Sequence, residues 1–153
     1  MGRSRKAPWP LRWMEASVWS SDPALDQLAL GCRPDFLILC YPVISFTAPT
    51  THQGSKKNLL GENPDPKLVE SMSSELQVTS DTPPTFLWHT DADSGVPPEN
   101  SVLFYLALRK AKVPAELHIY DGGGHGNGLN SAPLSEFGVS CGRWLQTRFD
   151  GAK

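Results

Sequence analysis

Two short apolar segments constrain the fold of this chain more than any other feature of its sequence. Residues 36–41 (FLILCY) end at Pro42, and residues 85–89 (TFLWH) end at a polar, turn-forming stretch. Each segment has the length of one strand and little polar alternation. Such segments are typical of strands that are covered on both faces, as in a parallel sheet. The sequence therefore predicts a parallel sheet with helices packed against it.

The clearest helical segment follows the second apolar segment. Residues 98–112 (PENSVLFYLALRKAK) contain no glycine, no proline after the first position, and several basic residues in the last turn. Basic residues interact favourably with the carboxyl end of a helix. We therefore predict a helix that ends before Pro114. Its predicted apolar stripe consists of Val102, Leu103, Leu106 and Ala107.

The remaining segments complete an alternating order of strands and helices. Residues 45–82 are polar, with a weak helical pattern at 66–72. Residues 115–120 (AELHIY) predict a third strand, and apolar residues at three- and four-residue steps after Pro133 predict a closing helix. This order is typical of an α/β fold with right-handed crossovers.

Length and charge limit the expected functions. A chain of 153 residues is long enough for one domain, which we place at 33–150. Residues 1–32 lack clear periodicity and are predicted to be an irregular segment outside this domain. The formal net charge is −2 and the basic residues are scattered, so a nucleic acid is not an expected partner.

The sequence predicts neither a membrane segment nor a compartment. Its longest strongly apolar run, residues 36–41, is far shorter than the roughly 20 residues that cross a bilayer. No segment has the features of a signal peptide, and the localisation therefore stays undetermined.

Cysteine and histidine spacing does not predict a metal site. The chain has three cysteines, Cys32, Cys40 and Cys141. Their odd number and irregular spacing favour reduced, buried thiols. His89 with Asp91 and Asp93 would lack a further spaced ligand. We therefore predict no metal and no cofactor.

Polar residues directly follow the second and third predicted strands. Asp91 and Asp93 follow the strand at 85–89, and His125 lies in a Gly-Gly-Gly-His-Gly turn after the strand at 115–120. Ligands of parallel sheets bind at this carboxyl edge. An acid followed by a histidine in this order is typical of the last two members of a Ser…Asp…His triad.

Several ordered motifs resemble bacterial acetyl xylan esterase-like α/β-hydrolases, which are related to dienelactone hydrolase and prolyl oligopeptidase-type folds. The motifs are RPDFLILCYPVISF (33–46), NLLG (58–61), TPPTFLWHTDADSGVPPENS (82–101), YLALRKAKVPAELHIY (105–120) and GGHGNGL (123–129). The resemblance implies the carboxyl-terminal part of an α/β-hydrolase fold, with the amino-terminal half missing. It also implies hydrolysis of a small acyl ester or an acetylated carbohydrate.

The resemblance further selects two catalytic residues. The acid of the family lies in a pattern like His-Thr-x-x-Asp-x-x-Val-Pro, which matches residues 89–97 and selects Asp93. The family histidine in Gly-Gly-His-Gly matches His125. By the family's mechanism, His125 would take a proton from a serine hydroxyl and return one to the leaving alcohol, while Asp93 orients the ring.

The nucleophile is the part of the family pattern that this chain does not match. A Gly-x-Ser-x-Gly elbow is expected upstream of Phe36, and we predict that this chain contains no such elbow. Ser17, Ser20 and Ser21 lie in that region without the flanking glycines of an elbow. We therefore identify no nucleophile, and expect a truncated or misdelimited reading frame.

Two alternatives to a complete serine hydrolase stay open. In the first alternative, the chain is a non-catalytic hydrolase fragment or an interaction module, and its exposed sheet edge favours self-association. Alternatively, Cys40 or a serine that only the fold brings close to His125 acts as the nucleophile.

Overall fold

A computed structural model of the chain describes residues 34–126 and 133–149. Strands and helices alternate along these residues: β1 (Leu37–Cys40), α1 (Gln53–Leu60), α2 (Pro66–Ser71), a 3-10 turn (Ser74–Leu76), β2 (Thr85–Thr90), α3 (Glu99–Lys110), β3 (Ala115–Tyr120) and α4 (Pro133–Phe149). The three predicted strands and the helices predicted after them are all present. The segment predicted to be irregular, residues 1–32, lies outside the described residues.

The strands form one parallel sheet in the order β1-β2-β3. Strand β2 pairs with β3 from Thr85 opposite Ala115 to Thr90 opposite Tyr120, and β1 pairs with the other side of β2. The predicted α/β class with a parallel sheet is therefore confirmed. Because β2 and β3 end side by side, the loops that follow them start at the same edge of the sheet.

Strand β2 lies at the centre of the described fold, and all six of its residues are buried. Successive side chains of a strand point to opposite faces. Phe86 and Trp88 accordingly pack in one cluster with residues of α4, whereas Leu87 packs in a second cluster with residues of α3. Both faces of β2 therefore pack against apolar residues, and burial of a side chain of this size stabilises the fold by about 2 kcal/mol.

The buried face of α3 differs from the predicted apolar stripe. Leu106 is 55% exposed, so the prediction of a stripe through Val102, Leu103, Leu106 and Ala107 was wrong. The buried residues of this helix are Asn100, Ser101, Phe104 and Leu108. Two of these four side chains are polar, and a pattern that counts only apolar residues misplaces the buried face.

Asn100 connects the beginning of α3 to the long segment after β1. Its Oδ1 accepts hydrogen bonds from the backbone N–H groups of Ile44 (3.0 Å) and Ser45 (3.1 Å). Its Nδ2 donates to the carbonyl oxygens of Thr50 (3.1 Å) and Pro97 (3.0 Å). All hydrogen-bonding positions of this buried amide are therefore occupied, and the segment after β1 is fixed beside the loop that precedes α3.

Candidate active site

The loops after β2 and β3 begin next to each other at the carboxyl edge of the sheet. Thr90 pairs with Tyr120, and the backbone N–H of Asp91 donates to the Tyr120 carbonyl at 2.8 Å. The first loop then carries Asp93, and the second carries His125. Ligands of parallel α/β folds bind at this edge. The two strands thus bring an acid and a histidine to a place where a substrate would bind.

Asp93 is buried and is held by its own loop. Its Oδ1 accepts hydrogen bonds from the backbone N–H groups of Gly95 (3.0 Å) and Val96 (2.8 Å), in the manner of an Asx turn. Its Oδ2 accepts a hydrogen bond from Nδ1 of His125 at 2.8 Å. The fold therefore brings together the two residues that the sequence selected, although they are 32 positions apart.

Opposing effects act on the pKa of Asp93. Burial raises the pKa because it removes water from the carboxylate, whereas the hydrogen bonds from Val96, His125 and Gly95 and the charge of His125 lower it. The lowering effects prevail, and the pKa of Asp93 lies below its ordinary value of 3.8. The carboxylate is therefore ionised at neutral pH.

The ionised carboxylate of Asp93 fixes the tautomer of His125. An ionised carboxylate only accepts hydrogen bonds, so Nδ1 of His125 carries a proton. In the neutral ring, Nε2 then presents a lone pair. The His125 side chain is 45% exposed, and its Nε2 forms no hydrogen bond with the described residues. An imidazole in this state is suited to act as a general base.

Glycines shape the surroundings of His125. Gly122 and Gly123, in the turn before it, have φ values of 76° and 82°, a region in which other residues are strained. Gly95 lies across from His125, where an added Cβ would be 3.5 Å from the histidine Cβ and 3.4 Å from Oδ1 of Asp93. An added Cβ at position 95 would therefore be in van der Waals contact with both members of the Asp93–His125 pair.

Tyr41 is a site residue that the sequence did not reveal. It follows β1 with a φ of 40°, which is uncommon for a bulky residue. Its ring lies edge-on to the imidazole of His125, with centroids 4.9 Å apart, and contacts Trp88 at 5.2 Å. The only sequence signal was its place between a buried strand and Pro42, which indicates a sharp turn but not the partner of the ring.

His89 lies beside the acid loop. It is fully buried, and its Nε2 donates to the carbonyl oxygen of Val96 at 2.8 Å. Asp91 is exposed. Within the described parts of the chain, no group of three or more His, Cys, Asp or Glu side chains is placed to hold a metal ion. The same parts contain no helix with the length and apolar character needed to span a membrane.

The described residues do not supply a nucleophile to His125. Within residues 34–126 and 133–149, no serine or cysteine forms a hydrogen bond with its ring. Cys40 and Cys141 are free thiols, and burial, followed by the nearby Cys40 and Glu116, raises the pKa of Cys141, which disfavours the reactive thiolate. Four further residues named above lie outside the described residues: Ser17, Ser20, Ser21 and Cys32.

The letters Gly-x-Ser-x-Gly do occur in this chain, at residues 138–142 (GVSCG). They lie inside α4, whereas a nucleophile elbow is a strained turn between a strand and a helix. Ser140 is therefore in a regular helix. The pentapeptide is present in the sequence, but it does not form an elbow.

Comparisons with known proteins agree with this fold. Residues 39–149 match the family model described as the prolyl oligopeptidase family. The chain belongs to the prolyl oligopeptidase family. The match begins within β1, at Leu39, and includes β2, β3, Asp93 and His125.

Relatives of the chain within this comparison include ester hydrolases. An acetyl ester-xyloside bifunctional hydrolase from Caldicellulosiruptor lactoaceticus has 56% identity and a TM-score of 0.73, over 76% of this chain and 43% of that one. An acetylxylan esterase of Xylanibacter ruminicola is 39% identical over 65% of this chain and 22% of its own length. Endo-1,4-beta-xylanase B of Butyrivibrio fibrisolvens is 48% identical over 61% and 15%, respectively.

These relatives confirm the predicted resemblance to an acetyl xylan esterase-like α/β-hydrolase. The chain spans only 15% of the length of the xylanase and 22% of the length of the acetylxylan esterase. The similarity therefore concerns one part of each relative.

Proposed function

We propose that this chain carries the acid and the base of an ester hydrolase with a Ser-Asp-His mechanism. Asp93 is the acid, His125 is the base, and the nucleophilic serine comes from outside the described residues. One observation carries the proposal: the hydrogen bond of 2.8 Å between Nδ1 of His125 and Oδ2 of Asp93. This bond leaves Nε2 of a half-exposed imidazole available for proton transfer.

In the proposed reaction, Nε2 of His125 takes the proton of the serine hydroxyl as the serine oxygen attacks the ester carbonyl carbon. The tetrahedral intermediate then collapses, and His125 gives the proton to the leaving alcohol. His125 then takes a proton from a water molecule as the water oxygen attacks the acyl-enzyme, and it returns this proton to the serine oxygen as the acid is released. Asp93 stabilises the imidazolium that forms in both steps.

The proposed substrates are small acyl esters, with acetylated carbohydrate as the favoured class. The names of two relatives, an acetylxylan esterase and an acetyl ester-xyloside hydrolase, support this class. The family name refers to peptide hydrolysis, but both of these relatives are named for ester chemistry. Acetyl esters are therefore the first substrates to test.

The first test is hydrolysis of 4-nitrophenyl acetate by the purified chain and by His125→Ala. Turnover that the variant lacks would support His125 as the base and would show that a nucleophile lies within the chain. Ser140→Ala is the matched control, because Ser140 lies in a helix and should not contribute. Equal rates for the chain and His125→Ala would show that the chain alone has no esterase activity that depends on His125.

A chimera tests the proposed roles when the chain alone is inactive. Residues 39–149 would replace the matching segment of the Caldicellulosiruptor hydrolase, a relative of 56% identity. We expect an active chimera that loses about 10²- to 10⁴-fold in kcat with His125→Ala or Asp93→Asn. An active chimera that tolerates both substitutions would refute the proposal.

The missing elbow favours a second function, that of a non-catalytic fragment or interaction module. Among the described residues, β1 has a strand partner on one side only, and an unpaired strand edge favours association. A folded, soluble monomer without esterase activity would argue against both catalysis by the chain alone and self-association. Concentration-dependent sedimentation would favour the interaction module.

A further inference from the structure

His89 approaches the same carboxylate oxygen as His125. Its Nε2 is 3.3 Å from Oδ2 of Asp93, and Nδ1 of His125 is 2.8 Å from that oxygen. The side chains of His89 and Asp93 are both fully buried, whereas the His125 side chain is 45% exposed. One carboxylate oxygen therefore interacts with two imidazoles, of which only His125 is accessible to a substrate.

We infer that His89 is a positioning residue, which holds Asp93 in place for its hydrogen bond with His125. The inference rests on the proposed function, because the Asp93–His125 pair has a chemical role only if it transfers protons. It assigns to His89 a role beyond packing in the core of the sheet.

The partners of His89 determine which of its nitrogens carries a proton. The carbonyl oxygen of Val96 and the ionised carboxylate of Asp93 only accept hydrogen bonds, so Nε2 of His89 must donate. It donates to Val96 at 2.8 Å and lies at the longer distance of 3.3 Å from Asp93. In the neutral ring, Nδ1 then accepts a hydrogen bond from Oγ of Ser101 at 2.8 Å.

Val96 joins His89 to Oδ1 of Asp93. Its backbone N–H donates to Oδ1 of Asp93 at 2.8 Å, and its carbonyl accepts from His89. Ser101 on α3 is itself fully buried. A series of hydrogen bonds thus runs from α3 through His89 to the acid loop, and outer partners of this kind fix the orientation of the groups that act on a substrate.

The first measurement concerns the unaltered protein and needs no enzymatic activity. Long-range ¹⁵N–¹H NMR spectra distinguish the two histidine tautomers. We expect the proton of His89 on Nε2 and a downfield Nδ1–H signal from His125 that disappears in Asp93→Asn. A proton on Nδ1 of His89 alone would overturn the inference, because Nε2 would then face two acceptors without a hydrogen.

The second measurement compares His89→Gln, whose Nε2–H amide retains a donor, with His89→Leu, which has none. We expect exchange of the His125 Nδ1 proton with water to be roughly tenfold faster in His89→Leu and nearly unchanged in His89→Gln. If His89→Leu does not fold, Ser101→Ala takes its place in the comparison, because it removes the hydrogen bond to Nδ1 of His89. Its exchange rate should lie between the rate of the unaltered chain and the rate expected for His89→Leu. His118→Gln is the control, since His118 bonds to Glu116 on β3.

The outcomes separate this inference from the proposed function. A His125 signal that depends on Asp93 but is unaffected in folded His89→Leu and in Ser101→Ala would overturn the role of His89 and leave the proposed function intact. The absence of any His125 signal that depends on Asp93 would instead contradict the pair itself, and with it both proposals.

Discussion

The ring of Tyr41 lies edge-on against the imidazole of His125, with an angle of 68° between the two planes. The backbone at Tyr41 has a φ of 40°, and strained conformations of this kind persist where the surrounding structure enforces them. Together with Asp93, this ring limits how far the exposed histidine can rotate. Tyr41 and Asp93 therefore contact His125 from two directions in the proposed site.

Replacement of Tyr41 should alter the accessibility of His125. We expect Tyr41→Leu to increase the rate at which diethyl pyrocarbonate modifies His125 by about 3- to 10-fold, because an aromatic pair is worth about 0.5–1.5 kcal/mol. Peptide mapping by mass spectrometry would measure the rate. Tyr41→Phe keeps the ring and should behave like the unaltered chain; equal rates in all three proteins would show that the ring does not confine His125.

Asp93 should make the folded state sensitive to acid. Its pKa in the folded chain lies below 3.8, so an unfolded chain with the ordinary value takes up the proton first as the pH falls. The stabilisation from Asp93 is therefore complete above the ordinary value and is lost as the pH falls through the folded pKa.

Urea unfolding at a series of pH values tests this dependence. We expect the free energy of unfolding to decrease between about pH 5 and pH 2, and to decrease less steeply in Asp93→Asn. Asp91→Asn, which changes an exposed residue of the same loop, should leave the slope unchanged. An identical slope in Asp93→Asn would contradict the prediction.

Asn100 should be one of the most sensitive polar residues of the described fold. Asn100→Ala would leave the backbone N–H groups of Ile44 and Ser45 and the Thr50 carbonyl without this partner, whereas the Pro97 carbonyl keeps its bond from the backbone N–H of residue 100. A buried polar group that loses its partner costs about 1–3 kcal/mol, so we expect a loss on the order of 3 kcal/mol in urea unfolding. The exposed Asn58→Ala should change the stability by less than about 0.5 kcal/mol; a similarly small effect at Asn100 would refute the assignment.

Lys112 offers a stabilising substitution. It follows α3 with a φ of 59°, a conformation that costs a residue with a Cβ about 1–2 kcal/mol. Glycine would relieve this cost, but its greater freedom in the unfolded chain cancels part of the gain. We therefore expect Lys112→Gly to stabilise the fold by about 0.5–1 kcal/mol. Ala107→Gly, inside the helix, should destabilise it by about 1 kcal/mol. A lower melting temperature for Lys112→Gly would contradict the prediction.

Local patterns and the order of the elements predicted the strands, the parallel sheet, and an acid loop beside a histidine loop, whereas the resemblance to acetyl xylan esterase-like hydrolases selected Asp93 and His125. Burial on both faces explains the consecutive apolar residues Phe86, Leu87 and Trp88 of β2, and the strand order placed the two loops at one edge. The contacts of Tyr41 and Asn100 were not predictable in this way. Each joins segments far apart in the chain, and no local pattern reports the partner of such a side chain.

The stripe on α3 shows the same limit. Ser101 and Asn100 are buried because they bond to His89 and to the segment after β1, and a polar residue with distant partners looks like a surface residue in the sequence. The strained position of Tyr41 likewise follows from how β1, β2 and the histidine turn fit together.

The pairing of Thr90 with Tyr120 lets residues deep in the sheet affect the relative position of the two loops that carry Asp93 and His125. A shift of one residue between β2 and β3 would move one loop relative to the other by about 3.3 Å, more than the whole length of the bond that joins Asp93 to His125. The packing of side chains such as Phe86 and Leu117 in the two apolar clusters of the sheet therefore contributes to the distance between Asp93 and His125. Selection for turnover in a protein of this kind would act on its interior as strongly as on its surface.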